Sequence, residues 1–307
     1  MRPTRREFLT IGGLASAAAI LTACTSPDLG GRAQARVLGG DGVAGWAGAD
    51  AAIWRALGRM TFGPRPEEVA RAGEIGLAGW IEEQLAPEGI EDREAELRVR
   101  RFDALTADPA VLAELGEGAR RQLQSATLLR AVYSVRQLRE VMVDFWGDHF
   151  SISVMKGDCA WLKAIDDREV IRPHALGSFR ELLLASMRSP AMLSYLDNQE
   201  NWAGKPNENY ARELLELHTL GVGAGYSQRD VQEVARCLTG WGIDRHRRIG
   251  RFAFDAGRHD DGAKVVLGAA IAAGADARRG AGSGVVAGAP GVAPVCRDEA
   301  GAAFCGG

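Results

Sequence analysis

The chain has 307 residues, of which 46% are hydrophobic and 25% charged, and its formal net charge at pH 7 is −3. This length suits one large globular domain or two small ones. The mildly acidic balance and the lack of a Lys/Arg stripe exclude a nucleic-acid-binding surface from our expectations, because phosphate neutralisation supplies most of the affinity in that class.

Residues 1–23 have the features of an export signal. Arg5 and Arg6 are followed by Phe-Leu and a glycine-containing apolar run. A paired arginine before such a run resembles a twin-arginine signal, which implies a folded passage through the twin-arginine translocation machinery. The run is too short for a transmembrane helix, which needs about 20 apolar residues. A short N-terminal helix of the mature fold is the alternative.

The sequence Leu-Thr-Ala-Cys that ends at Cys24 resembles a lipobox. Cys24 would then carry the lipid and become the mature N-terminus, on the periplasmic face of an envelope membrane. Stable anchoring needs more than one acyl chain. Removal of residues 1–23 takes away a net charge of +2 and leaves −5. Residues 24–50 are rich in small residues and are predicted to form a flexible tether.

The chain from Ala51 to Trp241 is predicted to be helical almost throughout, because apolar residues recur at helical spacing between capping signals. The fold class is therefore all-α, a multi-helix bundle-like array with a small irregular or short-strand C-terminal appendage. The predicted helices lie at 51–60, from 66 onward, at 77–85, after Asp108-Pro109, at 118–150 with one or two breaks, and at 158–171, 178–188, 191–196, 207–220 and 227–241. Residues 251–255 and 264–267 are the candidate short strands.

The cysteines Cys159 and Cys237 leave two interpretations open. They could form a disulfide in an oxidising envelope. Alternatively, both are buried free thiols, since a precursor that folds in the cytoplasm is exported reduced.

The helical domain is predicted to span residues 51–268, and residues 269–307 differ from it in character. Of these 39 residues, 13 are alanine and 9 are glycine, and no leucine follows Leu267. Such a segment buries too little apolar surface to offset its ordering entropy. The chain also uses arginine far more than lysine, which is typical of GC-rich coding sequence. We therefore expect a frameshifted or truncated end, with a natural disordered tail as the alternative.

Three motifs carry a resemblance to a known family. They are the block from Asn198 to Trp241, which includes Gly-Lys-Pro-Asn-Glu-Asn-Tyr-Ala-Arg-Glu-Leu, the segment Phe-Trp-Gly-Asp-His-Phe at 145–150, and His-Asp-Asp-Gly at 259–262. Together they resemble the bacterial family called domain of unknown function 1800, from about Ala51 to Leu267. The resemblance implies a larger, mostly helical protein without an established activity, whose chain continues well past residue 262.

The helix at 207–220 carries the first group of candidate site residues. At 100° per residue, Glu208, Arg212, Glu216 and Thr219 share one face, and Tyr210, Ala211, Leu214, Leu215 and Leu217 share the other. One interpretation is a solvated i, i+4 charge ladder. The other is a catalytic carboxylate pair, Glu208 and Glu216, that lines a cleft and is held by Arg212.

The second group comprises the candidate metal ligands His149, Glu213, His218, His259 and Asp260. Histidines and carboxylates suit a divalent cation, whose identity the sequence does not specify. Each residue also has a structural interpretation: His218 as a buried histidine, His149 at a helix C-terminus, and His259-Asp260 in a turn. Glu213 and His218 are five residues apart and diverge around a helix, and the chain lacks the Glu-x-x-His signature of di-iron proteins.

Two functions follow from these residues. The first is an envelope enzyme, a hydrolase with a metal- or carboxylate-based site. The second is a non-enzymatic helical lipoprotein that binds or scaffolds another envelope protein. No cofactor other than a metal is indicated.

Overall fold

The computed structural model describes residues 51–244, 250–274, 284–286 and 288. Arg5, Arg6, Cys24 and the tether lie outside the described residues, as does most of the tail. The export signal and the lipid anchor therefore stay predictions.

The described residues are mainly helical, so the predicted all-α class is confirmed. The α-helices are α1 (Ala51–Met60), α2 (Pro66–Leu85), α3 (Arg93–Val99), α4 (Pro109–Leu115), α5 (Glu117–Tyr133), α6 (Gln137–His149), α7 (Cys159–Asp166), α8 (Arg172–His174), α9 (Phe179–Met187), α10 (Pro190–Tyr195), α11 (Glu208–Glu213) and α12 (Gln228–Cys237). The strands are β1 (Trp241–Ile243), β2 (Phe252–Phe254), β3 (Lys264–Val266) and β4 (Ala269–Ile271). Within the described ranges, every helix is too short or too polar to cross a membrane.

The chain divides into two compact units, and the smaller one contains residues 51–57 and 64–78 of the described chain. Its buried side chains include Leu57 and Val69. Arg65 Nη2 donates to Glu68 Oε1 at 2.6 Å, and the other carboxylate oxygen accepts from the Arg65 backbone N–H. This pairing satisfies a donor that the start of α2 would otherwise leave unpaired.

The larger unit contains residues 58–63 and the chain from 79 onward. Helix α7 forms its centre and packs against α4, α5 and α10. Almost every residue of α7 is buried, Trp161 and Ile165 among them. A helix that is apolar on nearly all sides belongs in a core.

The predicted long helix at 118–150 breaks once, at Ser134. Ser134 Oγ and the Val135 N–H both donate to the buried carboxylate of Asp92, at 2.7 and 3.0 Å. The Gln137 amide nitrogen donates to the Ala131 and Ser134 carbonyls, which the break leaves without helical partners. Side chains of Asp92 and Gln137 therefore stabilise the kink between α5 and α6 by pairing backbone groups that the break leaves open.

Two helices widen into π segments, a feature often found near functional sites. The first π segment (Asp167–Ile171) follows α7 directly, and its turn closes from the Arg172 N–H to the Asp167 carbonyl. The predicted helix end before Pro173 is wrong, because α8 continues to His174. Proline has no N–H to donate, and Pro173 lies in the first turn of α8, directly after the π segment.

Arg172, directly after the first π segment, pairs with Glu140 and Asp167. We call these three residues the buried arginine network. Arg172 Nη1 donates to Glu140 Oε1 at 2.9 Å and Arg172 Nε to Asp167 Oδ2 at 2.8 Å. The Arg172 side chain is 11% exposed. Burial acts to lower the pKa of Arg172, but the two carboxylates outweigh burial and raise it.

The predicted capping box at Ser227 is confirmed. Ser227 accepts from the Asp230 N–H, and the Asp230 carboxylate accepts from the Ser227 N–H. Helix α12 ends at Cys237 rather than at Trp241, because Trp241 begins β1, which pairs antiparallel with β2. Gly240, at φ +77°, makes the turn between α12 and β1. The Asp255 carbonyl lies too close to Gly240 to leave room for a Cβ.

Strand β4 extends the fold past the predicted boundary at 268. It pairs with β3 in an antiparallel hairpin and buries Ile271. Leu267 and Gly268 both have positive φ, at 49° and 80°, as a two-residue hairpin turn requires. Asp230 Oδ1 accepts from the Leu267 N–H at 2.8 Å, so the cap of α12 also holds the hairpin.

Cys159 and Cys237 are both buried free thiols, which is the second of the two interpretations. Burial raises the pKa of both, that of Cys237 to about 11. Neither is a reactive thiolate at neutral pH.

Candidate functional site

Buried asparagines fix the loop that leads into α11. Asn198 Nδ2 donates to the Leu238 and Trp241 carbonyls, at 3.1 and 2.9 Å. Asn201 Nδ2 donates to the Ala235 carbonyl at 2.9 Å and to Asn198 Oδ1 at 3.1 Å. The two asparagine side chains therefore donate hydrogen bonds to carbonyls at the end of α12 and the start of β1.

Asn207 begins α11. Its N–H donates to Asn201 Oδ1 at 2.9 Å, and its own Oδ1 accepts from the Asn209 N–H at 3.0 Å. Asparagine is a preferred N-cap because its side chain satisfies a helix donor. The asparagines before the charged helix thus set its position relative to α12.

Glu208, Arg212 and Glu216 come together as the sequence predicts, and Gln228 of α12 joins them. Arg212 Nη2 lies 3.1 Å from Glu208 Oε2 and 2.9 Å from Gln228 Oε1, and Arg212 Nη1 lies 3.7 Å from Glu216 Oε1. Gln228 Nε2 closes the ring by donating to Glu208 Oε2 at 2.6 Å. We call these four residues the braced charged face.

The braced charged face is open to solvent. The side chains of Arg212, Glu208 and Glu216 are 41%, 33% and 32% exposed. Tyr226 hydrogen-bonds Glu216, and partial burial together with the Glu216 charge raises the pKa of its phenol. The face carries two carboxylates against one guanidinium, so its formal charge is −1.

The second π segment (Leu214–Thr219) changes which side chains lie on the same side of the helix as the braced charged face. The helical wheel places Thr219 with Glu216 and Leu217 with the apolar residues. In the structure Thr219 is fully buried and Leu217 is 50% exposed. Each residue of a π turn rotates by less than 100°, because the hydrogen bonds skip five residues, as from the Leu220 N–H to the Leu215 carbonyl. Thr219 Oγ1 donates to the Leu214 carbonyl at 2.6 Å.

His218 and His149 are neighbours inside an aromatic cluster. Their ring centroids are 6.2 Å apart, and Phe150 lies 5.3 Å from the His218 ring. Burial, and next the nearby His149, lower the pKa of His218 to about 3, so its imidazole is neutral at physiological pH. His149 Nε2 donates to the His218 backbone carbonyl at 3.1 Å, which fixes the tautomer of His149.

Asp260 and His259 lie in a docked turn. Asp260 is bound by both Nε and Nη2 of Arg236, at 2.7 and 3.1 Å. The hydrogen bonds from Arg236 lower the pKa of Asp260. His259 Nδ1 donates to the Thr239 carbonyl at 2.8 Å. This arrangement fastens the turn to α12.

The five candidate metal ligands do not form one centre. Within the described ranges, no three His, Cys, Asp or Glu side chains are arranged to hold a metal ion. Asp260 is committed to Arg236, and His218 faces hydrocarbon. Glu213 is half-buried. His149 and His218 are neighbouring rings, and His259 and Asp260 share one turn, but no group of three forms among the described residues, so the geometry gives the metal-ligand hypothesis no support.

The sequence did not indicate Gln228, which joins the braced charged face, or Arg236, which binds Asp260 in the turn at 259–262. Both are on α12, as is Glu233, which binds Arg236 Nη1 through both carboxylate oxygens at 3.0 and 2.9 Å. The strong amphipathic pattern of this helix was the available signal. Its polar residues face other elements of the fold rather than only solvent.

The comparisons with known proteins add one finding. No curated protein and no solved structure matches the chain. One family does match, over residues 55–296, and its description is "Protein of unknown function (DUF1800)". Since that match covers most of the chain, this protein belongs to the DUF1800 family.

Proposed function

We propose that this protein is an exported, lipid-anchored envelope protein that captures another envelope protein through its braced charged face. Arg5 and Arg6 would direct export through the twin-arginine machinery, and lipid on Cys24 would hold the mature chain at the membrane. The fold supplies the binding surface, and the tether supplies its reach.

One observation carries the binding role: the charged groups are fixed before any partner arrives. Gln228 hydrogen-bonds both Glu208 and Arg212 across α11 and α12, which restricts the rotamers of these long side chains before binding. Preorganised side chains lose less entropy on binding. An isolated ladder on one helix would lack this cross-link.

The surroundings of the face indicate the chemistry of the partner. Leu217 and Val222, on the same helix–loop segment, are 50% and 81% exposed. Tyrosine and arginine beside exposed apolar side chains are typical of protein interfaces. The formal charge of −1 favours a partner that presents a basic residue next to an apolar patch.

The enzymatic alternative has one observation in its favour, the contact between His149 and His218. A half-buried imidazole of fixed tautomer could transfer a proton in a hydrolytic site. The carboxylates Glu208 and Glu216 suit such a role less well, since Arg212 binds both. Metal analysis of protein purified from the periplasm tests whether a metal ion assists hydrolysis. A folded, metal-free protein would refute that mechanism.

Charge reversal of Arg212 tests the capture role. Arg212→Glu places three carboxylates side by side and should abolish partner recovery in periplasmic cross-linking, while thermal unfolding stays close to that of the wild type. Arg71→Glu is the matched control, because Arg71 is 46% exposed and pairs with Glu74 on α2, away from the braced charged face. Equal recovery with both variants would refute the proposed face.

The export and anchoring steps are tested separately. Replacing Arg5 and Arg6 by lysine should retain the protein in the cytoplasm. Cys24→Ala should release it from the membrane fraction into the soluble periplasm. A membrane-bound, periplasmic Cys24→Ala variant would contradict the lipid anchor and leave the charged face untouched.

A further inference from the structure

A second guanidinium group lies beside the buried arginine network, that of Arg130 on α5. Arg172 Nε donates to Asp167 Oδ2 at 2.8 Å, and Arg130 Nη1 lies 3.9 Å from the same oxygen, which is too far for a hydrogen bond. The Arg130 side chain is 18% exposed and that of Arg172 is 11% exposed. Two guanidinium groups therefore meet at one carboxylate oxygen, largely shielded from solvent.

Each of these guanidinium groups has an unused donor. In the part of the chain that the structure describes, Arg130 Nη1 and Arg172 Nη2 are buried nitrogens without a hydrogen-bond partner. Buried polar atoms are rarely left unpaired, because they have lost their hydration without compensation. A guanidinium contains donors only, so the missing partner must be an acceptor. The two nitrogens therefore indicate a bound acceptor that both arginines share.

The electrostatics favour an anion over a neutral water molecule. Burial, and next the charge of Arg172, lower the pKa of Arg130, and the carboxylates Glu140 and Asp167 do not offset these two effects. Arg139 also acts to lower this pKa. By contrast, the same two carboxylates raise the pKa of Arg172. The Arg130 guanidinium thus has less compensating negative charge than Arg172, and a bound anion would supply it.

The burial of both nitrogens limits the size of that anion. Arg172 already uses its Nε and Nη1 for Asp167 and Glu140, so Nη2 is the donor that it retains for a ligand. The first π segment begins at Asp167 and ends directly before Arg172, and π segments often occur at functional sites. We propose that Arg130 Nη1 and Arg172 Nη2 together bind a small inorganic anion of the size of chloride.

Crystals of the mature protein grown in sodium bromide locate the anion directly, because bromide replaces chloride and scatters anomalously. We expect an anomalous peak within hydrogen-bond distance of both Arg130 Nη1 and Arg172 Nη2. A water molecule at this position, or no anomalous peak there, would overturn the proposal.

Thermal unfolding tests the same site in solution. A ligand that binds only the folded state raises the Tm in a concentration-dependent way. Replacing gluconate by chloride at constant ionic strength, up to about 0.2 M, should raise the Tm of the wild type by about 3 °C. Arg130→Met should abolish this rise. Arg121→Met is the matched control and should keep it, because Arg121 is an exposed arginine on the same helix.

Equal Tm values of the wild type in the two salts would refute the anion site. A chloride response of Arg130→Met as large as that of Arg121→Met would also refute it. If Arg130→Met does not fold, the bromide position in the wild type decides by itself. None of these outcomes bears on partner capture by the braced charged face.

Discussion

Beside each π segment, an arginine lies between two carboxylates, and the two arginines differ in burial. In the buried arginine network, Arg172 is 11% exposed, and Glu140 and Asp167 are 8% and 12% exposed. In the braced charged face, Arg212 is 41% exposed. The same kind of ion pairing is therefore buried in the core of the larger unit at one site and exposed to solvent at the other.

This difference separates stability from recognition. Breaking a buried pair leaves a charge in a low-dielectric interior, whereas breaking an exposed pair returns both groups to water. Mutations in the first network should change folding, and mutations in the second should change binding.

Arg172→Met should be the most destabilising change. It removes the Arg172 guanidinium from the buried carboxylates Glu140 and Asp167, of which Asp167 keeps a 3.9 Å contact with Arg130 Nη1. This loss costs about 3–5 kcal/mol of unfolding free energy. Urea unfolding at pH 7 measures the loss. Adding Glu140→Gln to the same chain should recover part of it, because Asp167 then stays paired with Arg130. A single-variant loss below about 1 kcal/mol would contradict the role of this network.

His218 should make the protein acid-sensitive. Its folded pKa of about 3 lies below the ordinary value of 6.5, so between these pH values the unfolded chain binds a proton that the folded chain does not. Stability should fall with decreasing pH by up to about 1.4 kcal/mol per unit in that window. Between pH 7 and 5, wild type should lose about 2 kcal/mol more than His218→Phe. Identical pH profiles would show that His218 is not the responsible group.

Arg212→Gln should have the smallest effect on stability. Exposed i, i+4 pairs contribute about 0.3–0.5 kcal/mol, and 0.5 M salt should remove most of the difference from wild type. Urea unfolding at low and high salt measures it. A loss comparable to that of Arg172→Met would mean that exposure does not separate the two networks.

Local sequence signals predicted most of the fold. Ser227 and Asp230 cap α12 as their spacing indicates, and Pro190 begins α10. These features depend on a few neighbouring residues, so the sequence contains them in readable form. The strands at 252–254 and 264–266 were predicted on the same basis, from β-branched and aromatic residues.

The rest depends on contacts that are distant in sequence. Trp241 and Ala269 enter strands because they pair with Phe254 and Val266, which follow and precede them in the chain. The exposure of Leu217 and the burial of Thr219 follow from a π turn that a fixed 100° wheel cannot represent. The charged ladder was predicted, but its cross-link to Gln228 requires the packing of α11 against α12.

The buried asparagines before α11 have a consequence for local opening. Asn198 and Asn201 hydrogen-bond carbonyls 34 to 43 residues later in the chain. These hydrogen bonds connect the start of the segment that contains α11 and α12 to its end. If either helix unfolds by itself, those carbonyls lose their donors. The amide protons of both helices should therefore exchange with solvent together, as one cooperative unit.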